Sequence, residues 1–268
     1  KNSETSAVLT TLPTATTVAI NTSIVGTYPI VPSGGVSGNY AFTYVNGTLT
    51  VTKAVLTATA NNQTKVYGDA NPALTIAYTG FKNGETSAVI LTPPTATTIA
   101  TLTSSVGTYP ITLAGGLNGN YSFTLVDGTL TVTQATIVAT ADNKTRVYGD
   151  PNPAFTITYT GFRNGETSAV IDLLATATSS AVATTGVGTY PIVPSGGSDN
   201  NYVITYANGT LTITRATLTV TADNQTRAYG DVNPSLTVSY SGFKNSETSA
   251  VLTTLPTATT VAINTSIV

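Results

Sequence analysis

Three loops hold the side chains best suited to chemistry: Tyr67-Gly68-Asp69, Tyr148-Gly149-Asp150 and Tyr229-Gly230-Asp231. Each has an asparagine two positions beyond its aspartate, namely Asn71, Asn152 and Asn233. Carboxylate and amide oxygens at this spacing suit Ca2+, but a calcium site gathers about six to eight oxygens and usually several carboxylates. Each loop supplies a single carboxylate. The expected role is a tight turn, in which glycine gives the backbone its freedom and Asp and Asn bond to local amides; no metal or other cofactor is expected. A tyrosine ring in a loop also stacks well on a sugar. Tyr67, Asp69, Tyr148, Asp150, Tyr229 and Asp231 are therefore the candidate ligand contacts, with host or matrix glycans as the ligand class.

Lysine near aspartate or asparagine raises a second chemistry, the covalent cross-link between an amine and a carboxyl or carboxamide. That reaction needs a lysine at the same place in every copy. Here Lys65 is replaced by Arg146 and Arg227, and Lys82 by Arg163. A guanidinium replaces an ammonium as a cation and not as a nucleophile, so these positions read as ion pairs or packed stems. Glu85, Glu166 and Glu247 are the partners nearest in sequence to the second set. Isolated carboxylates such as Asp69 and Glu85 fall into no recognisable acid–base pairing. With no His and no Cys in the chain, neither a Ser-His-Asp nor a Cys-His site can be built, and no enzymatic activity is expected.

Composition narrows the partners. The chain has ten basic and twelve acidic residues, 8% charged in all, against roughly 25% in an average soluble protein. Without clustered Lys and Arg there is no footprint for nucleic acid. No apolar run approaches the ~20 residues of a membrane helix, so no membrane span is expected in this segment, and an export signal or anchor is expected to lie outside it. The lack of Cys and Met removes the side chains most easily oxidised, which suits an extracellular life. Most of the fourteen tyrosines are expected in cores, because Tyr40, Tyr44 and Tyr78 alternate with Thr or Ala as inward strand positions do. The Thr-x-Thr runs are read as β-propensity on a solvent face.

These side chains are positioned by a repeat. The Tyr-Gly-Asp loops, the three "GTYPI" strings from Gly26, Gly107 and Gly188, and the pairs Asn46-Gly47, Asp127-Gly128 and Asn208-Gly209 all recur at intervals of 81 residues without insertion. Module starts at Ala54, Ala135 and Ala216 give 1–53 as the C-terminal part of a module, 54–134 and 135–215 as complete modules, and 216–268 as the N-terminal part of another. The segment Lys1–Val25 is identical to Lys244–Val268, three periods away. The chain is accordingly expected to be a window on a longer array, continued covalently, rather than a unit completed head to tail by a second copy.

Within a module the alternation is that of strands. Leu218, Val220 and Ala222 oppose Thr217, Thr219 and Thr221, and Leu74, Ile76 and Tyr78 share one face. Asn-Gly and Asp-Gly between alternating runs predict a two-residue hairpin at each of the three pairs. "NGETSAVI" from Asn83 predicts one or two helical turns, capped by Asn83 and burying Ala88, Val89 and Ile90. The fold class is therefore mostly β: a tandem array of small β-rich modules, β-grasp-like or sandwich-like, each with at most one short helix. No Gly, Pro or Ser cluster separates consecutive modules in "GTLTVTKAVLTATANN", so the array is expected to be a stiff, elongated rod with about 30 to 40 Å per module.

The strings "KVYGDANP" at Lys65, "GFKNGETSAVI" at Gly80, "VGTYPI" at Val106 and "GNYSFTLVDGTLTVT" at Gly119 resemble the MBG domains of the YGX type, which occur in tandem in large bacterial surface proteins and adhesins. The resemblance runs through the whole chain and implies a β module exported to the bacterial cell surface, with no catalytic residues to carry over. The 135–215 module departs from it at "DLLATATSSAVA" from Asp172 and at "SDNNY". The expected function is a structural segment of a bacterial extracellular fibre, stalk or surface appendage. Its expected partners are neighbouring modules of the same or identical chains. Multivalent glycan-binding adhesin repeats are the alternative.

Overall fold

In the computed structural model, residues 3–264 are described, and the chain divides into two units, residues 1–133 and 134–268. The first unit begins with an antiparallel three-stranded sheet in which β2 (Gly26–Val36) lies between β1 (Thr11–Thr17) and β3 (Gly47–Val51). The 54–134 module follows two residues later. Its seven strands in chain order are β4 (Ala54–Ala60), β5 (Gln63–Val66), β6 (Ile76–Thr79), β7 (Thr95–Thr98), β8 (Gly107–Ala114), β9 (Tyr121–Val126) and β10 (Gly128–Thr133). They form two sheets, ordered β6-β4-β9 and β5-β10-β8-β7. Of the two architectures expected, the sandwich is the one observed.

The alternation read from the sequence sets the inward face. Leu56, Ala58 and Ala60 of β4 are buried, and Ala58 and Ala60 pack with Ile111, Leu113 and Leu130 of the facing sheet while Leu74, Ile76 and Tyr78 close the side. Full burial of a Leu or Ile side chain stabilises by about 1.5–3 kcal/mol, and the small alanines let the sheets approach.

The second unit repeats this module with β11 (Ala135–Ala141), β12 (Lys144–Val147), β13 (Ile157–Thr160), β14 (Thr176–Thr178), β15 (Gly188–Ser195), β16 (Tyr202–Ala207) and β17 (Gly209–Thr214), in sheets β13-β11-β16 and β12-β17-β15-β14. The antiparallel pair β18 (Thr219–Ala222) and β19 (Val238–Ser241) follows. No helix among the described residues is long and apolar enough to cross a membrane.

Three expectations are corrected. Tyr40 and Tyr44, expected as inward core positions, are exposed. Asp127-Gly128 is not a hairpin: β9 and β10 flank Asp127 but belong to different sheets, and β16 and β17 behave likewise. The glycine is needed for a close approach, because a Cβ on Gly128 would lie 2.5 Å from the Ala60 carbonyl oxygen and one on Gly209 2.3 Å from that of Ala141. The Asp127 carboxylate accepts from the Leu113 N–H at 3.0 Å, fixing the corner. Residues 40–45, the counterpart of β9, form no strand; residues 1–53 contain no counterpart of β4 for them to pair with.

The short helix is a single 3-10 turn, Ser87–Val89, repeated at Ser6–Val8, Ser168–Val170 and Ser249–Val251. Its cap is Thr86, whose hydroxyl accepts from the Ala88 N–H. Asn83 and Gly84 instead have φ of +54° and +75°, a turn that ends the run before a longer helix can start. Only Ile90 of the three expected apolar residues is buried.

Candidate docking interface between modules

The Tyr67 and Tyr148 loops each follow a short strand, β5 and β12, whose third residue is a cation turned inward. Lys65 is 5% exposed and Arg146 6%. The Lys65 ammonium donates to the carbonyls of Asp69, at 3.0 Å, and Thr101. Arg146 donates from Nε to the Asn152 Oδ1 at 2.8 Å, from Nη1 to the Val147 carbonyl and from Nη2 to the Val182 carbonyl. The Asn152 amide in turn donates to the Ala181 carbonyl, and Asn71 does the same to Ala100. Arg227 and Asn233 make the matching set. The loop is thus organised around a side-chain cation, and the Asn152 oxygen that calcium would use is already taken. Lys65 and Arg146 hold packed positions, as the Lys-to-Arg exchange suggests.

A second cluster lies at the other end of the module. Tyr121 and Tyr202, 3% and 2% exposed, each donate a phenolic O–H to a carboxylate, Glu85 and Glu166 respectively, at 2.5 Å. Each phenolic oxygen also accepts a backbone N–H, from Lys82 at 2.8 Å and Arg163 at 2.9 Å. Phe81 and Phe162 meet these rings edge-on. Burial, followed by the bond to Glu166, pushes the Tyr202 pKa up to about 12. A raised folded pKa means that Tyr202 contributes its stabilisation fully below the ordinary value near 10 and loses it as the pH climbs through about 12. Absorbance titration of phenolate is expected to show a group ionising near pH 12 that Tyr202→Phe removes, with the alkaline unfolding of the module beginning in the same window.

In the second unit these two ends meet. The Tyr148 hydroxyl of the 135–215 module donates to the Glu247 carboxylate, and the Lys244 ammonium pairs with Asp150 at 2.9 Å. Gly149, at φ +87°, lies against the Lys244 stem, and a Cβ there would come within 2.3 Å of the lysine Cβ. All three residues of the motif thus contribute to the contact, since tyrosine donates, glycine admits the lysine, and aspartate takes its charge. The bond to Glu247 raises the Tyr148 pKa. Val187, Leu218, Phe243 and Val251 line the adjoining cleft. The ion pair is half exposed, so it is worth at most about 1 kcal/mol and acts chiefly on orientation.

The first unit shows the companion face. The Val25 N–H donates to Asn120 Oδ1 at 3.1 Å, the Asn83 amide to the Asn21 carbonyl at 3.2 Å, and the Lys53 ammonium to the Asn118 carbonyl at 2.9 Å. Lys82 and Glu85, equivalent in register to Lys244 and Glu247, line the same cleft.

The candidate ligand contacts do not converge on one site. Tyr67 is buried, and the carbonyl of Asp69 receives Lys65. Tyr148 and Asp150 face the following module, while Tyr229 is 78% exposed and Asp231 is exposed. Sequence reasoning missed Lys244 as the partner of Asp150, having placed Glu247 beside it. The signal was present in the fixed register of the Tyr-Gly-Asp and Lys/Arg-x-x-Glu positions.

A family model, MBG domain (YGX type), matches residues 1–50, 56–131, 137–212 and 218–267. The chain belongs to the MBG family. The clasp just described thus joins two successive MBG domains of this chain, 137–212 and 218–267. Among solved structures, the chain is similar to the I9–I11 tandem of titin, at 16% identity over 75% of this chain and 82% of that one. The TM-score of 0.21 gives that likeness no weight for this fold. No curated protein matches the chain.

Proposed function

We infer that the chain is a non-catalytic structural segment of a bacterial extracellular fibre, stalk or surface appendage, in which MBG domains docked end to end supply reach and stiffness. The observation that carries this reading is the clasp of Tyr148 and Asp150 on Glu247 and Lys244. Short connections support it. In the first unit only Thr52 and Lys53 separate β3 from β4, and Lys53 is itself tied down, whereas freely moving domains are joined by Gly/Ser-rich linkers. The partners these surfaces suit are neighbouring domains of the same or identical chains. The absence of oxidisable Cys and Met supports the extracellular assignment.

The rival reading, glycan binding by the Tyr-Gly-Asp loops, draws its support from the exposed Tyr229. Small-angle scattering of the full chain tests the structural reading. A compact body of 268 residues would have a radius of gyration of about 18 Å. A clearly larger value with a rod-like cross-section is expected, and a value near the compact one would overturn the reading. Saturable glycan capture by the full chain, lost in Tyr229→Ala, would favour the rival.

A further inference from the structure

In the 54–134 module, β4 pairs with β9 in parallel from Ala54↔Tyr121 to Thr59↔Val126. In the other sheet β5 pairs with β10 in parallel from Gln63↔Leu130 to Val66↔Thr133. Every one of these pairs joins residues 67 apart in sequence. The register survives the crossing between sheets. There the Asn62 side chain accepts from the Thr129 N–H at 2.9 Å, keeping the same offset where the backbones themselves do not pair. The ladder is closed at its ends by the Ala54 N–H on the Asn120 carbonyl and the Tyr67 N–H on the Thr133 carbonyl. The module's first and last segments, 54–66 and 121–133, therefore form one continuous parallel pair running through both sheets.

The 135–215 module repeats the arrangement. β11 pairs with β16 from Ala135↔Tyr202 to Thr140↔Ala207, and β12 pairs with β17 from Lys144↔Leu211 to Val147↔Thr214. Asn143 bridges to Thr210 at the crossing.

The direction of load follows from this pairing. Tension along the chain enters the module at Ala54, one end of the first segment, and leaves at Thr133, the opposite end of the second. Two parallel segments pulled from opposite ends slide against each other, so the rungs of the ladder resist together. Pulled from the same end, they would separate one rung at a time. We propose that this paired-terminus ladder is a shear clamp, and that each complete domain is built to bear tension along the chain as well as to set its length. This rests on the stalk reading for its use and on strand pairing alone for its evidence.

Because the chain has no cysteine, handles can be attached at introduced ones. In single-molecule pulling of the full chain, Thr52→Cys with Gln134→Cys loads the 54–134 module in shear, and Ala70→Cys with Gln134→Cys peels the same ladder from one end. All three positions are exposed. At a common pulling rate, since forced unfolding is a rate process, the first pair is expected to unfold at a several-fold higher force than the second. A comparable or lower force for the first pair would overturn the clamp. Scattering decides the stalk reading independently, because the pulling comparison concerns one module and is unaffected by how modules are arranged.

Discussion

Arg146→Ala is expected to destabilise the 135–215 module by about 3–5 kcal/mol, because each buried oxygen that loses its donor costs about 1–3 kcal/mol. Arg146 is 6% exposed, and its three donor nitrogens reach Asn152, Val147 and Val182. Alanine leaves those oxygens without a donor and opens a cavity beneath the loop. The Tyr148-Gly149-Asp150 segment, which meets Lys244 and Glu247, should lose its order with them. Arg146→Lys is expected to cost about 1 kcal/mol, within the ordinary range for a substitution that keeps the main interaction. At the equivalent position the Lys65 ammonium already reaches two carbonyls. Urea denaturation of the full chain checks both values, with the 54–134 module as the internal reference.

The second large effect is at the corner glycines. Gly209→Ala is expected to cost about 3 kcal/mol, the upper end for overpacking. Its Cβ would sit 2.3 Å from the Ala141 carbonyl oxygen and 2.8 Å from the carbonyl carbon, and backbone cannot step aside as a side-chain tip can. Gly47→Ala, at the same position of the repeat, is expected to cost no more than about 1 kcal/mol, the general propensity scale, because its nearest neighbour would be Ile30 Cβ at 3.5 Å. A hairpin at Asn208-Gly209 would predict equal effects at the two glycines. Thermal or chemical unfolding of the two variants separates these outcomes.

The contrast between the two glycines also shows what local sequence can reveal about this fold. Alternation is local and was legible, but burial needs a facing sheet: Leu56, Ala58 and Ala60 are buried, whereas their counterparts Leu218, Val220 and Ala222, read as one face of a strand, are half-buried or exposed, because residues 216–268 contain no counterparts of β8 and β10 to cover them. The corner at Asp127-Gly128 was not legible, because a turn signal shows that the chain bends and not which strand receives it. The partner of β10 that decides the matter is β5, 67 residues upstream. The helix cap moved from Asn83 to Thr86 because Asn83 adopts a positive φ, a state its neighbour Gly84 shares. The docking residues follow the same logic. Repetition identifies Asp150 and Lys244 as recurring positions, but only the fold brings them together across 94 residues.

A stiff array requires above all that consecutive modules be held in one orientation by the Tyr-Gly-Asp clasp. Thr160 and Ser241 are exposed, occupy equivalent places in β13 and β19, and make spin-label sites on the two sides of the clasp in the second unit. With nitroxides on Thr160→Cys and Ser241→Cys, pulsed electron paramagnetic resonance is predicted to give one narrow distance that broadens when Lys244→Ala and Glu247→Gln are added. A broad distribution in the chain with the clasp intact would contradict rigid docking.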